Sequence, residues 1–373
     1  MELEEFGEVE REYRAFAAEH VAPHAALIDR EERIPREVVD ALVRAGYFAS
    51  GFHTSADPDP VAATIRHGLL HEALGAASAS VQGLLNVHHM GGSPIARWGT
   101  REQKEYWVPR LVSGEVLAAI AITEPHVGSD AAAVATTATP DGTDYVLNGT
   151  KRWITCGQNA DVFVVLASGP TAFIVPRGTE GLTIEPIRGM LGCRGYMVAE
   201  LRFEDCRIPA DHLLGRPGFG LTHVAATGLD SGRYNLAWGC VGLARACLDA
   251  SFNYSRERRQ FGSALSEFQL VQQLISRMMT DIEAARMLCF RAGTLRGRRD
   301  PAAIKLSAMA KYFASTMVNR VAYDAVQIHG ASGVGPDLPV QRYLRDARIM
   351  EIVEGSTQIL ETAIARYGYQ ERG

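Results

Sequence analysis

Lysine is scarce in this chain. Of 38 basic residues only four are lysine (Lys104, Lys151, Lys305 and Lys311), and the rest are arginine. Together with abundant alanine, this suggests a GC-rich bacterial coding sequence and carries no functional meaning. Basic residues form no block, and the net charge is −5, so nucleic acid and anionic membranes are poor partners. No apolar run approaches the roughly 20 residues of a membrane span. The six cysteines (Cys156, Cys193, Cys206, Cys240, Cys247, Cys289) include no CxxC pair. They read as reduced thiols, not a zinc site or disulfide frame, and no metal is expected. The acidic, helical start MELEEFGEVEREYRAF is unlike a signal or transit peptide, so a cytoplasmic location is expected. A strand–G-x-G-x-x-G–helix fingerprint is also missing. Gly330, Gly333 and Gly335 have the wrong spacing and follow a helix, which excludes dinucleotide binding by that route.

What is present is a soluble mixture, 47% hydrophobic and 22% charged over 373 residues, enough for two or three domains. The pattern predicts an α+β chain in three parts. Residues 1–118 read as an N-terminal α-helical domain. Phe6, Val9, Tyr13, Phe16 and Ala17 recur at helical spacing, Pro35 opens a helix ending near Gly46, and further helices cover Val61–Leu74, Ser80–Trp98 and Arg101–Val112. His53–Pro60 reads as a polar turn. Residues 119–225 read as a small β-barrel or sandwich. In it, Tyr145 onward runs into an Asn148-Gly149 turn with Lys151–Thr155 as partner strand, and Val162–Ala167, Thr171–Val175, Leu182–Ile187 and Ala199–Phe203 are further strands. Residues 226–373 read as an antiparallel four-helix bundle, from Asp230–Arg258, Glu267–Arg296, Pro301–Ile328 and Gln341–Ile349, followed by a helix over Gln358–Arg366. No repeat or low-complexity tract interrupts this order.

Glu354 is the most informative residue. A carboxylate between Ile352, Val353 and Gly355 is poorly solvated, and desolvation raises its pKa toward the range of a working base. Gly355 permits close approach to backbone, and Ser356 or Thr357 can cap the next helix. Taken alone, the same residues read equally as a surface Glu-Gly turn. Elsewhere, Ile122–Asp130 is a loop rich in hydroxyls and backbone donors. Trp153 and Thr155 lie two apart on one strand and so share a face. Arg258, Phe261 and Gln269 flank Gly262, read as a break between helices. Asp230 reads as the cap of the long helix that carries Arg233. His88 and His89 read more readily as structural than as substrate contacts, and His329 as a helix-end residue.

The stretches AITEPHVGSDAAA (121–133), KRWITCG (151–157), RERRQFG (256–262) and QIHGASGVGPDLPVQRYLRD (327–346), with the Glu354-Gly355-Ser356 run, resemble the acyl-CoA dehydrogenase family of flavoproteins over essentially the whole chain. The resemblance implies FAD as cofactor and an α, β, α-bundle architecture. It implies that Glu354 removes the α-proton of an acyl thioester while the flavin takes the β-hydride, and that the backbone N–H of Glu354 steadies the thioester carbonyl. Thr123 and Ser129 are implied at the flavin, Ser129 also at the carrier arm, with Trp153 packed on the ring and Thr155 near its N5. Arg258, Phe261 and Gln269, with Gln327, Gly330 and Ala331, are implied to hold the rest of FAD from a neighbouring subunit, and Ser356 and Gln358 complete the cofactor contacts. Arginine suits phosphate through its planar fork. Asp230, Arg233 and Gly355 are implied along the substrate. Some members carry their base just before the matching arginine; here that position is Gly232. Val127 and Ala331 replace smaller residues usual in the family.

The runs Ala237–Gly242 and Met350–Ser356 are similar to the branch acting on acyl carrier protein in polyketide extender-unit (hydroxymalonyl or methoxymalonyl) biosynthesis. The segment from Gly51 (GFHTSADP) departs from the Pro-Glu-x-x-Gly-Gly loop of degradative members. The resemblance thus implies a short acyl group on acyl carrier protein in preference to CoA. It implies a homo-oligomer, dimer or tetramer, with electron-transfer flavoprotein or O₂ as electron acceptor. An acyl-CoA dehydrogenase of fatty or amino acid breakdown, a flavin oxidase, and a flavin-free acyl-binding scaffold are the alternatives.

Overall fold

The computed structural model describes residues 6–52 and 58–372. Residues 53–57, which make up most of the His53–Pro60 turn and of the segment from Gly51 that departs from degradative members, lie outside the described residues. Helices α1 (Gly7–His20), α2 (Ala25–Glu31), α3 (Arg36–Arg44), α4 (Pro60–Ala77), α5 (Ala79–Trp98) and α6 (Arg101–Ser113) come first. The Asp59 carboxylate caps α4 by accepting from the N–H groups of Val61 (3.0 Å) and Ala62 (2.9 Å), with Pro60 at the first position. Ser78 ends α4 in an extended conformation and caps α5. Both helices are buried on nearly every side, so hydrophobic periodicity has little contrast along them.

The middle segment holds two sheets. One orders β1 (Ala118–Ala121), β4 (Val162–Ala167) and β5 (Thr171–Pro176), with β1 parallel to β4. The other orders β2 (Thr137–Asp141), β3 (Asp144–Ile154), β7 (Ala199–Ile208) and β6 (Leu182–Pro186), all antiparallel. Ala119, Val165 and Phe173 from the first sheet share a core with Leu147, Leu201 and Phe203 from the second and with Leu84 and Leu85 of α5. This is a small sandwich capped by a helix.

The Asn148-Gly149 pair does not turn the chain. β3 runs straight through it, and the true hairpin lies between Asp141 and Asp144. Gly149 sits in a register shift at φ 147° because Thr136 crowds it; a Cβ there would stand 2.6 Å from Thr136 Oγ1. The Asn148 side chain pairs with Asp205 on β7, accepting from its N–H at 2.8 Å. Strands β1 and β2 were not anticipated: one is four residues long and the other mostly exposed.

A π-helical turn (Gly220–Ala225) leads into α7 (Ala226–Glu257). A two-residue hairpin, β8 (Arg259–Gln260) and β9 (Ser263–Ala264), follows, then α8 (Gln269–Gly297), α9 (Ala303–His329), the short α10 (Ala331–Val334), α11 (Val340–Met350) and α12 (Thr357–Gln370). Trp238 and Val241 of α7, Ala285 and Cys289 of α8, and Met317 and Val321 of α9 form one core with Ile65 and Leu69 of α4. The bundle therefore extends into the N-terminal helices. Gly242 lets α7 touch α4, since a Cβ there would fall 1.9 Å from Glu72 O. Asp230 lies inside α7 and does not cap it. Its carboxylate accepts from Arg296 Nη1 at 2.5 Å. All six cysteines are buried and free, and no helix among the described residues is long and apolar enough to cross a membrane.

Candidate active site

Glu354 stands in the turn between α11 and α12, in left-handed backbone (φ 60°) next to Gly355 (φ 97°). A non-glycine residue held there is strained, and such strain persists only where neighbours enforce it. Two cations do so, a half-buried arginine and a fully buried lysine. Arg233 Nε donates to the Glu354 carbonyl at 3.1 Å, and Lys311 Nζ donates to the Gly355 carbonyl at 2.8 Å. Arg233 thus joins α7 to the turn through its Nε. Ser356 occupies the N-cap position of α12 without a side-chain cap bond, because its neighbours close the turn instead.

The Glu354 carboxylate points inward. Oε1 accepts from Asn86 Nδ2 at 2.6 Å, and Oε2 is buried with no hydrogen-bond partner among the described residues. Burial pushes its pKa up to about 7, against the opposing pull of Lys311, the Asn86 hydrogen bond and Arg233. Burial in turn lowers the Lys311 ammonium. A carboxylate with one oxygen held and the other unpaired near neutrality is poised to take a proton.

Gly232 on α7 lies flush beneath this carboxylate: a Cβ there would stand 2.7 Å from Oε2 and 2.6 Å from Met90 Sδ. One turn earlier, Gly228 packs on Met90 O and on Ile120 of β1. The loop after β1, carrying Thr123, thus leaves within about two helical turns of Glu354. That loop is fixed from beneath by a pair the motifs did not single out. The Lys151 ammonium donates to Glu124 Oε1 (2.7 Å) and to Ile122 O (3.0 Å), and both side chains are buried. Burial acts to raise the Glu124 pKa, yet hydrogen bonds from Lys151, Thr136 and Ala135 hold it down to about 2. Arg152 N–H donates to Thr123 O at 2.8 Å and ties the loop to β3.

Next on β3, Trp153 is 48% exposed at φ 63°, with the Arg152 guanidinium 4.9 Å from its ring centroid. The strand register breaks between Lys151 and Ile154, and Thr155 lies beyond the strand end. Simple pleat alternation therefore does not place Trp153 and Thr155 on one face. A strained, half-exposed indole, on a strand tied by the Arg152 N–H to the Thr123 carbonyl, fits a planar aromatic cofactor.

A second group gathers at the far end of α7. Arg258, the C-cap, lies 26 residues beyond Gly232, about 39 Å at ~1.5 Å per residue. Gly262 belongs to the β8–β9 hairpin turn and not to a helix break. Phe261 at its tip is 97% exposed. Gln269 opens α8; Gln327 lies in the last turn of α9, Gly330 caps that helix and Ala331 opens α10, and α9 reaches the same place through Tyr254 stacked on His329 (4.4 Å). Gln358 is exposed on the first turn of α12. The residues expected around one flavin thus divide into two groups at opposite ends of α7.

His88 and His89 are buried. His88 Nε2 meets Leu111 O (3.1 Å) and His89 Nε2 meets Phe48 O (3.0 Å). Asn86, the residue that engages the Glu354 carboxylate, was not anticipated: an asparagine in an apolar helix carries no local signal of a partner 268 residues away.

Comparison with known proteins bears on the family. Family models for the acyl-CoA dehydrogenase N-terminal, middle and C-terminal domains match residues 4–115, 119–206 and 219–368. The chain is 36% identical to a probable acyl-CoA dehydrogenase, FadE25, of Mycobacterium tuberculosis, over 97% of this chain and 95% of that protein. It is 37% identical to the human mitochondrial short-chain specific acyl-CoA dehydrogenase, over 94% and 87%. Among solved structures, butyryl-CoA dehydrogenase from Megasphaera elsdenii superposes with a TM-score of 0.91 at 31% identity, covering 96% of this chain and 97% of that one. A prolyl acyl carrier protein oxidase, AnaB, gives 0.91 at 27% (98% and 99%). FkbI, described for biosynthesis of a methoxymalonyl extender unit, gives 0.86 at 29% (96% and 99%). The chain belongs to the acyl-CoA dehydrogenase family and is an oxidoreductase of its FAD-dependent, acyl-thioester-dehydrogenating kind.

Proposed function

We propose that Glu354 is the base that takes the α-proton of a short acyl thioester carried on acyl carrier protein, in secondary metabolism. The observation that carries the base assignment is the Glu354 carboxylate itself, with Oε1 on Asn86, Oε2 unpaired, and burial raising its pKa to about 7. FAD, when bound, supplies the acceptor for the β-hydride. The chain's residues fix the geometry around it. Trp153 offers its exposed indole to the ring, Thr123, Ser129 and Thr155 offer hydroxyls to its polar edge, and Ser356 and Gln358 adjoin the turn of the base. Gly355 leaves room for the thioester. Gly232 supports the carboxylate from below, and the two cations on the turn's carbonyls keep Glu354 aimed.

Arg258, Phe261, Gln269, Gln327, Gly330 and Ala331 serve the cofactor of a second copy, since one chain separates them from Glu354 by the length of α7. The active unit is therefore at least a dimer, and a tetramer on family habit. Divisions at 118/119 and 225/226 mark the domain limits of this reading. Asp230 and Arg233 act on substrate only indirectly, through α7 and the turn.

The carrier-protein reading draws support from the likeness to AnaB and FkbI. The competing reading, an acyl-CoA dehydrogenase of fatty or amino acid breakdown, draws on the relatives that are named acyl-CoA dehydrogenases. Offering one acyl group on CoA and on a carrier protein, with flavin bleaching as readout, separates them; preference for a long-chain acyl-CoA overturns the first. Electron-transfer flavoprotein or O₂ accepts the electrons, and peroxide release under air without added protein identifies the oxidase case.

A further inference from the structure

We infer that the acyl end of this site is a polar chamber that receives the hydroxyl group of a short hydroxyacyl thioester through His71, Gln82, Asn86 and Asn235. The inference rests on the reading of Glu354 as the base.

Three helices build the chamber. Gln82 and Asn86 lie one turn apart on α5 and so share a face. Asn86 holds Glu354 Oε1, which places this face at the base. Gln82 Nε2 stands 3.1 Å from His71 Nδ1 on α4 and donates to Asn235 O on α7 at 3.2 Å. His67 Nε2 meets Asn235 Oδ1 at 2.8 Å, and His67 Nδ1 meets Ser50 Oγ at 3.1 Å. A continuous polar layer therefore runs from the base to α4. His71, Gln82, Asn86 and Asn235 are each no more than 2% exposed.

Each of the four also keeps a buried polar atom with no partner among the described residues: His71 Nε2, Gln82 Oε1, Asn86 Oδ1 and Asn235 Nδ2. Leaving such an atom unpaired costs about 1–3 kcal/mol, and buried polar atoms in folded proteins are rarely orphaned. Four such atoms in one polar layer that begins at Asn86 beside the base call for a polar guest. With the Gln82 amide donating to Nδ1, His71 carries its proton on Nε2. The chamber then offers two donors (His71 Nε2, Asn235 Nδ2) and two acceptors (Gln82 Oε1, Asn86 Oδ1).

A hydroxyl, which both donates and accepts, matches that set. A carboxylate does not. The nearby cations, Lys311 and Arg233, are held on backbone carbonyls, and burial keeps His71 neutral by lowering its pKa; a buried unpaired charge is costly. An alkyl terminus would leave all four atoms unpaired. The ring nitrogens of His67, His71 and His89 approach within 4.8 Å of one another. A metal there would have to take a His67 nitrogen from Asn235 or from Ser50, so the hydroxyl reading is favoured.

The test is calorimetric. Butyryl, 4-hydroxybutyryl and succinyl thioesters, alike in carbon count and on the same carrier, are titrated into FAD-loaded Glu354→Gln protein, which binds without turnover. The 4-hydroxybutyryl thioester is expected to bind about tenfold tighter than the other two, the worth of one or two neutral hydrogen bonds. His71→Leu and Gln82→Leu should each bring the ratio to butyryl near one, while His71→Gln retains part of it. Equal or tighter butyryl binding by the Glu354→Gln parent overturns the inference even if the leucine variants do not fold, and so does a ratio unmoved in folded leucine variants. Failure of the dehydrogenase reading appears separately, as absence of flavin bleaching in the unsubstituted enzyme with all three thioesters.

Discussion

Gly232 and the Glu354 carboxylate occupy adjoining space: a methyl group on residue 232 would stand 2.7 Å from Oε2 and 2.8 Å from Cδ. The two positions come from elements far apart in sequence, yet a side chain at either reaches one point. Gly232→Ala must displace either Met90 or the carboxylate. Flavin reduction by substrate should fall roughly 10²-fold, the cost of misplacing a reacting group by about 1 Å, with thermal stability changed much less. The double variant Gly232→Glu/Glu354→Gly should recover part of the activity lost in Glu354→Gly alone. No recovery by stopped-flow bleaching would show that the adjacency is not functional.

Glu354→Gln should reduce the rate of flavin bleaching by about 10²–10⁴-fold or more, the scale of general-base catalysis. It should also alter stability in a pH-dependent way. Burial raises the Glu354 pKa from 4.5 to about 7, so the native state binds more protons than the unfolded state between those values. Stability from this group therefore declines as pH rises across that window. The glutamine variant lacks the penalty, and its melting temperature should exceed that of the parent above pH 7 while matching it more closely near pH 5. Parallel pH dependences for the two proteins would contradict the assigned burial.

Asn86→Leu removes the hydrogen bond that partly offsets desolvation of Glu354. The ionised form loses support, so the acidic limb of the kcat profile should move to higher pH, with lower activity at pH 7 and partial recovery above pH 8. A uniform loss at every pH would mean that Asn86 acts only by packing.

Much of this architecture is legible from local pattern. The helices of the bundle follow amphipathic spacing, and Glu354 is marked by the apolar residues and glycine around it. What escaped the sequence depends on partners distant in the chain. Asn148-Gly149 carries every local sign of a hairpin, but Thr136 and Asp205 hold it as a bulge within one strand. Trp153 follows a strand pattern, yet the register shift turns it into left-handed backbone. Asp230 looks like a cap until the π-helical turn extends the helix upstream and Arg296 claims its carboxylate. Asn86 and the Lys151–Glu124 pair carry no motif, and only the fold brings each to its buried partner.

The Lys151–Glu124 pair fixes the loop that carries Thr123 and Ser129. Removing one partner leaves a buried charge uncompensated, at a cost of about 3–5 kcal/mol. Lys151→Met should therefore lower the melting temperature markedly and weaken flavin retention, whereas Lys151→Met/Glu124→Leu should recover most of the stability. The Glu124 pKa, held down to about 2, adds stability that is present above the unfolded value near 4.5 and is lost as pH falls toward 2. Acid unfolding of Lys151→Met should lose the share of that component due to the lysine, the bonds from Thr136 and Ala135 remaining. Equal melting temperatures for the single and double variants would refute the pairing.

The division of cofactor residues between the two ends of α7 predicts complementation between inactive proteins. Glu354→Gln disables the half of the site at the start of α7, and Arg258→Ala the half at its end. If each flavin lies between copies, a mixed dimer contains one site carrying both lesions and one carrying neither. Random co-assembly should then restore roughly a quarter of the sites, half of the dimers each having one intact site of two. Flavin bleaching by substrate after co-refolding, or after co-expression with distinguishable tags, measures the fraction. Activity no greater than the sum of the parents would mean that Arg258 and Glu354 serve the same cofactor within one chain, or that Arg258 serves none. A mixed oligomer that binds the wild-type amount of FAD yet stays inactive would place Arg258 outside the shared site, because its loss would then leave the cofactor in place.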